Sequence, residues 1–153
     1  MVLLNKLTEA WFDAIEDDDV EALEKMLEED KVLLETEYQG ADYDDDIKPL
    51  ANELLGKKVG SLDPLLYACF VESEDTALTL AKHFSIEKLC KKWGDGNTVL
   101  HLAAFNGLEN LIEYLLAERH VPAKYKNKLG YRPMDCVAND DVLKIFAKYR
   151  GNF

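Results

Sequence analysis

The stretch GADYDDDIKPLANE, residues 40–53, sets Asp42, Asp44 and Asp46 at alternate places, with Glu53 at the twelfth place counted from Asp42. Carboxylates at that spacing can ligate a calcium ion in a helix–loop–helix site. The loop also needs glycine at its sixth place, where the chain turns sharply. Ile47 stands there, and a β-branched residue is strained at positive φ. Pro49, at the eighth place, lacks the amide that pairs with a second loop. The expectation is therefore no metal site, only weak, non-specific attraction of cations to the acids. A cation-binding regulatory role stands as one alternative.

Other chemistry is thinner. GKKVGS, residues 56–61, lacks the G-x-x-x-x-G-K-[ST] spacing of a phosphate loop. His83 and His120 stand alone, and no Ser-His-Asp or Cys-His spacing suggests a nucleophile. The three cysteines, Cys69, Cys90 and Cys136, are widely spaced without a CxxC pair. That argues for free thiols in a reducing compartment and against zinc. Cys69 falls at a small-residue helix position, where burial is expected over reactivity. No catalytic residue, cofactor or metal is expected, and no enzyme activity.

The elements that must carry any site belong to one domain, on a length of 153 residues. Hydrophobic residues make up 48%, enough for a core, and charged residues 31%. Apolar runs are too short to span a membrane. The opening MVLLNKLTEAWFDAIEDDD soon turns acidic and does not read as a signal peptide. The expected location is the cytoplasm, the nucleus or both. The net charge is −12, and residues 1–60 hold 18 acids against 6 bases while the rest balance at 12 against 12. The acidic half disfavours nucleic acid or an anionic membrane as a partner. It favours a basic partner, or serves solubility alone.

The chain is also periodic. DGNTVLHLAAFNGLENLIEYLLAERH, residues 95–120, places Gly96, Thr98, Leu100, His101, Ala103, Ala104, Gly107, Leu111, Ile112, Leu115 and Leu116 at fixed spacing. Gly96 suits a tight turn, Thr98 a helix cap and Gly107 a break between two helices. Leu111, Ile112, Leu115 and Leu116 mark one buried helical face. This segment resembles an ankyrin repeat, with Val99 in place of the usual proline. Fainter copies surround it. Gly130 follows Gly96 by 34 residues, and Ala103 follows Ala68 by 35, close to the family period of about 33. Asp63-Pro-Leu-Leu-Tyr-Ala-Cys reads as a second repeat. Gly130-Tyr-Arg-Pro-Met-Asp-Cys-Val reads as a fourth, with a second helix from Asp140 to about Tyr149 carrying Val142, Leu143, Ile145 and Phe146. AIEDDDVEALEKMLEE, from Ala14, reads as the first, with Asp18 in the glycine place and Ala22, Leu23, Met26 and Leu27 on the apolar face.

The resemblance implies an all-α ankyrin-repeat solenoid of helix-turn-helix repeats with hairpin-like loops. Repeats are expected near 5–37, 61–92, 93–126 and 127–153. Ala14 to Ala68 spans 54 residues, so about 21 remain as an insertion near 38–60 once one period is removed. Its second half is expected to hold a short helix docked on the solenoid, with Pro49 in the first turn, Gly56 as the stop and Leu50, Leu54 and Leu55 on one face. Its acidic first half is expected as a solvated tip.

In the family, the histidine of the TVLH turn is structural, which implies the same for His101. Partners bind the concave face and the hairpin tips. Carried over, the expected partner-binding residues are Phe70, Val71 and Glu72, then Phe105 and Asn106, on the first helices. Glu16 and Asp17 take that place in the first copy. At the tips they are Trp93, Asp95 and Asn97, then Lys128 and Tyr131; Asp44, Asp45 and Asp46 add the acidic tip. Phe70 and Phe105 could instead pack against adjacent repeats. Lys91, Lys92, Lys124, Lys126 and Lys128 give the far end a basic character. The resemblance implies a monomeric protein-interaction module or adaptor. The alternative from charge is an acidic escort or chaperone for a basic protein client, such as a ribosomal or histone-like one.

Overall fold

Leu23 and Leu27 lie one turn apart on a ten-residue helix, and both are buried while Glu24 and Lys25 between them face solvent. That stripe is the unit from which the whole molecule is built, because a helix with one apolar face must pack it against another. The computed structural model describes residues 2–44, 47–48 and 50–149. Within them the helices are α1 (Val2–Glu16), α2 (Val20–Glu29), α3 (Ala51–Leu54), α4 (Pro64–Phe70), α5 (Glu74–His83), α6 (Ile86–Leu89), α7 (Val99–Phe105), α8 (Glu109–Ala117) and α9 (Asp140–Lys148). Short 3-10 turns cover Lys31–Glu35 and Pro133–Cys136. The fold is all-α; among the described residues extended pairing is limited to two isolated bridges, Tyr38 with Leu62 and Trp93 with Asn97.

The helices stack in two layers. α1 packs on α4, α4 on α7, and α7 on the Pro133–Cys136 turn. Behind them α2 packs on α5, α5 on α8, and α8 on α9. Small Ala68, Ala103 and Ala104 are fully buried in the first layer, which lets its helices approach closely.

One turn geometry recurs between the layers. Asp18, Glu72 and Gly107 are all left-handed, with φ of 54°, 63° and 69°. After each, an amide donates five residues back: Asp19 to Ala14 (2.9 Å), Ser73 to Ala68 (2.8 Å) and Leu108 to Ala103 (2.9 Å). Helix ends close in this way when their last carbonyls need partners. Asp18 thus does conformationally what Gly107 does, at the mild cost an Asp incurs there.

Two second-layer helices, α5 and α8, are capped from the preceding helical pair. Neither Ser73 nor Leu108, at the N-caps of α5 and α8, supplies a side-chain cap bond. Asp18 Oδ1 accepts instead from the Thr76 amide (2.8 Å) and hydroxyl (2.6 Å). Glu74 then accepts from the Asn110 amide (3.1 Å) and the Leu111 amide (3.3 Å). At the other end of α5, Arg119 donates to the carbonyls of Ala81 (2.6 Å) and Phe84 (2.5 Å). Some of the acidic excess is therefore spent on orphan amides inside the stack.

Two expectations need adjusting. In the last helical pair the first helix shrinks to the Pro133–Cys136 turn. On α9, Val142 and Phe146 are buried one turn apart, Ile145 is half-buried and Leu143 is exposed, one position off the stripe. In the insertion, α3 begins at Ala51, and Gly56 follows its end at φ 91°. Leu55 is buried and Leu54 half-buried, but Leu50 lies exposed ahead of the helix, so the three leucines do not share one face. Pro49 lies outside the described residues.

Candidate interaction surface

The insertion leaves the stack and returns to it at one point. Tyr38 and Leu62 exchange both backbone bonds, at 2.7 and 3.0 Å. Tyr38 stacks on Tyr67 with centroids 4.1 Å apart, and Phe12 meets both rings edge-on at 5.3 Å. Closing the neck of a loop in this way lets extra chain be carried without shifting the helices it joins.

From that neck the segment crosses the first-layer helices. The Tyr43 ring packs on Phe70 at 5.2 Å, and its hydroxyl is buried with no hydrogen-bond partner among the described residues. Burial, with Asp95 and Cys136 nearby, pushes that hydroxyl above the usual phenol range. Lys48 Nζ donates to Glu72 (3.0 Å) and to Asn106 Oδ1, and lies 5.8 Å from the Phe105 ring centroid. The carbonyls that end α3 are then met by the tips. Asn97 Nδ2 donates to Leu55 O (2.8 Å) and Asn127 Nδ2 to Leu54 O (2.8 Å), while Asn127 also donates to Asn97 Oδ1 (2.9 Å). Asp95 Oδ2 accepts from the Lys58 amide (3.1 Å). The approach is close enough to require glycine: a Cβ on Gly94 would lie 2.3 Å from Lys58 O, and one on Gly56 would lie 2.0 Å from Asp95 Oδ2.

The expected partner-binding residues therefore divide. Trp93 is a correction: it is 5% exposed, with its indole N–H donated to Thr98 O at 3.0 Å, so it forms the floor of its tip. Asn97 is fully buried and spends its amide on α3, so it too shapes the surface without presenting itself. Phe70 and Val71 are half-buried against the core, and Phe70 is also covered by Tyr43. Glu72, Phe105 and Asn106 share the Lys48 contact. Asp95 turns its carboxylate to the insertion, whereas Lys128 and Tyr131 are exposed at the next tip. Asp44 is exposed and its carbonyl accepts from the Ile47 and Lys48 amides, at 3.1 and 2.7 Å. Asp45 and Asp46 lie outside the described residues. Glu16 is exposed, with Oε2 accepting from the Tyr67 hydroxyl at 3.3 Å. Among the described residues no three of His, Cys, Asp and Glu gather as a metal cluster.

The supporting residues sit as their types suggest. Thr98 caps α7 with His101, whose Nδ1 accepts from the Thr98 amide at 3.0 Å. Nε2 must then carry the proton and donate to Tyr131 O at 2.8 Å. The ring is buried, and that burial lowers its pKa. Cys69 and Cys136 are buried free thiols. Burial raises both, Cys136 to about 12.

What remains open is a cleft of about 370 Å³ between insertion and stack. Glu72, Phe105 and Asn106 line one side, Ile47, Lys48, Leu50 and Leu54 the other, and Val137 and Ala138 its end. Ile47 is 73% exposed and Leu50 53%, which makes its rim apolar and accessible. Sequence reasoning missed Ile47, Lys48, Tyr43 and Asn127 as parts of this surface. An aliphatic residue inside an acidic, polar loop was the available signal for Ile47; the others carry none.

Residues 95–128 match the family model of the ankyrin repeat. The chain carries an ankyrin repeat. The matched residues run from the tip at Asp95 through α7 and α8 to the tip at Lys128, and the neighbouring helical pairs pack on them layer to layer. Ankyrin repeats mediate protein–protein interaction and are typically not enzymes. Curated proteins give no match to the chain. Among the described residues no helix is long and apolar enough to cross a membrane.

Proposed function

We propose that the chain is a protein-interaction module that binds its partner in the cleft between the insertion and the first-layer helices. We read it as one domain of four repeats, near 5–37, 61–92, 93–126 and 127–153, with the insertion near 38–60. We assign it binding and no catalysis, as a monomeric adaptor of the cytoplasm or nucleus. The observation that carries this reading is the rim: Ile47 and Leu50 stand exposed beside half-buried Phe105. Contiguous apolar surface of that kind, bordered by Glu72, Lys48 and Asn106, is what a protein partner desolvates. The test is affinity capture with the intact chain and with Ile47→Glu/Leu50→Glu, whose side chains are exposed and whose fold should survive. Loss of the captured protein is expected; equal capture by a folded double variant contradicts the reading.

A second reading is supported by the other end. Asp13, Glu16, Asp17, Asp19, Glu21, Glu24, Glu28 and Glu29 of the first helical pair are all exposed. That face suits a basic protein client, so an escort role is the alternative. Binding that weakens steeply with salt and survives Ile47→Glu/Leu50→Glu would favour it over the cleft.

A further inference from the structure

On the tip side of the molecule the charge reverses. Lys58, Lys91, Lys92 and Lys128 line an open cleft of about 440 Å³ whose floor is Trp93 and whose rim includes Gly60, Gly94 and Gly96. All four lysines are exposed. The insertion supplies the first, the segment before the Trp93 tip the next two, and the following tip the last. They are 70 residues apart in the chain at the extremes, and Asp95 ties the ends together: its Oδ2 accepts from the Lys58 amide (3.1 Å) and its backbone carbonyl from the Lys128 amide (2.9 Å).

The acids nearby are few and engaged. Among the described residues Glu37 is the one carboxylate lining the cleft, and it pairs with Lys91 at 3.5 Å. Asp95 turns its Oδ2 to the Lys58 amide. Among the described residues no carboxylate comes within ion-pair distance of Lys58, Lys92 or Lys128, whereas Lys48, Lys88 and Lys148 each have one. Lys92 and Lys124 also flank exposed Tyr125, with their ammonium groups 5.8 and 5.5 Å from its ring centroid. Holding like charges side by side is unfavourable, and a bound anion relieves it. Of the rim glycines, Gly60 has open space where a Cβ would stand, which leaves room for an extended chain to come close.

We infer that this lysine cleft is a second docking site, and that it takes an acidic peptide segment of a protein partner. A protein of net charge −12 would repel a long polyanion such as nucleic acid, while a short acidic segment meets only the local field. At physiological ionic strength charges more than about 8 Å away are largely screened, so the field a short segment meets is set by the charges beside the cleft. The inference is independent of the Ile47–Leu50 cleft.

The test is a titration of the 15N-labelled intact chain with acetylated hexaglutamate, hexaglutamine and a single-stranded oligothymidine. Hexaglutamate should shift the amides of Gly60, Gly94, Gly96 and Lys128, with affinity dropping about tenfold or more between about 50 and 300 mM salt. Lys92→Gln/Lys128→Gln should weaken it by about tenfold or more, the loss of roughly two favourable ion contacts. Both changes are at exposed positions, and an unaltered melting curve will show that the fold is kept. Ile47→Glu/Leu50→Glu should bind hexaglutamate as the parent does. Absent or scattered shifts, equal binding of hexaglutamine, undiminished binding by the lysine variant, or tighter binding of the oligothymidine would each overturn the inference.

Discussion

His101 is held at both ring nitrogens, and only one protonation state fits. Nδ1 accepts from the Thr98 amide and Nε2 donates to Tyr131 O, so a second proton, on Nδ1, breaks the amide bond that caps the helix. Burial lowers the folded-state pKa below the unfolded value of about 6.5. The unfolded chain therefore takes up the proton first as pH falls. Stability from this site is complete above about pH 6.5 and is lost as pH falls from there through the folded pKa. The melting temperature should drop as pH falls below about 6.5, and His101→Gln should flatten that slope though it lowers stability throughout. A slope unchanged in the variant would remove His101 as its source. The residue's structural part was legible from the TVLH turn. Trp93 was not: a large aromatic at a tip reads as exposed, and only the indole bond to Thr98 O, five residues away, turns it inward.

At the scale of elements, the stack is knitted by caps that pass from one helical pair to the next. Glu74 serves α8, whose own N-cap is Leu108. Glu74→Ala should cost about 1 kcal/mol in chemical denaturation, as the loss of a helix cap does. Glu74→Gln, which keeps an acceptor oxygen, should recover most of it; equal losses in the two variants would argue against capping. The helices themselves were readable because their buried residues recur with a period: Ala68 and Ala103, or Leu111, Ile112, Leu115 and Leu116. The insertion has no period. Repeat arithmetic marked it as surplus to one period, and Gly56 marked its helix end, but its path was not legible. That path depends on Lys48 reaching Asn106, 58 residues away, and Asn127 reaching Leu54, 73 residues away. Polar contacts of such separation, to a side-chain amide or a bare carbonyl, leave no pattern in composition or spacing.

For the molecule as a whole, the insertion turns part of a generic repeat surface into a particular one. It covers Phe70, engages Glu72 and Asn106, and leaves Ile47 and Leu50 at the edge of a cleft. The acidic first helices, the apolar cleft and the lysine cleft then give one chain three chemically different faces, which favours oriented docking. The most direct measurement of the central claim is site-specific photo-crosslinking from position 50, with positions 32 and 143 as controls because Val32 and Leu143 are also exposed apolar residues. The account predicts a crosslinked protein partner from position 50 and none from 32 or 143. Crosslinks of equal yield from all three, or from 32 or 143 alone, would contradict it.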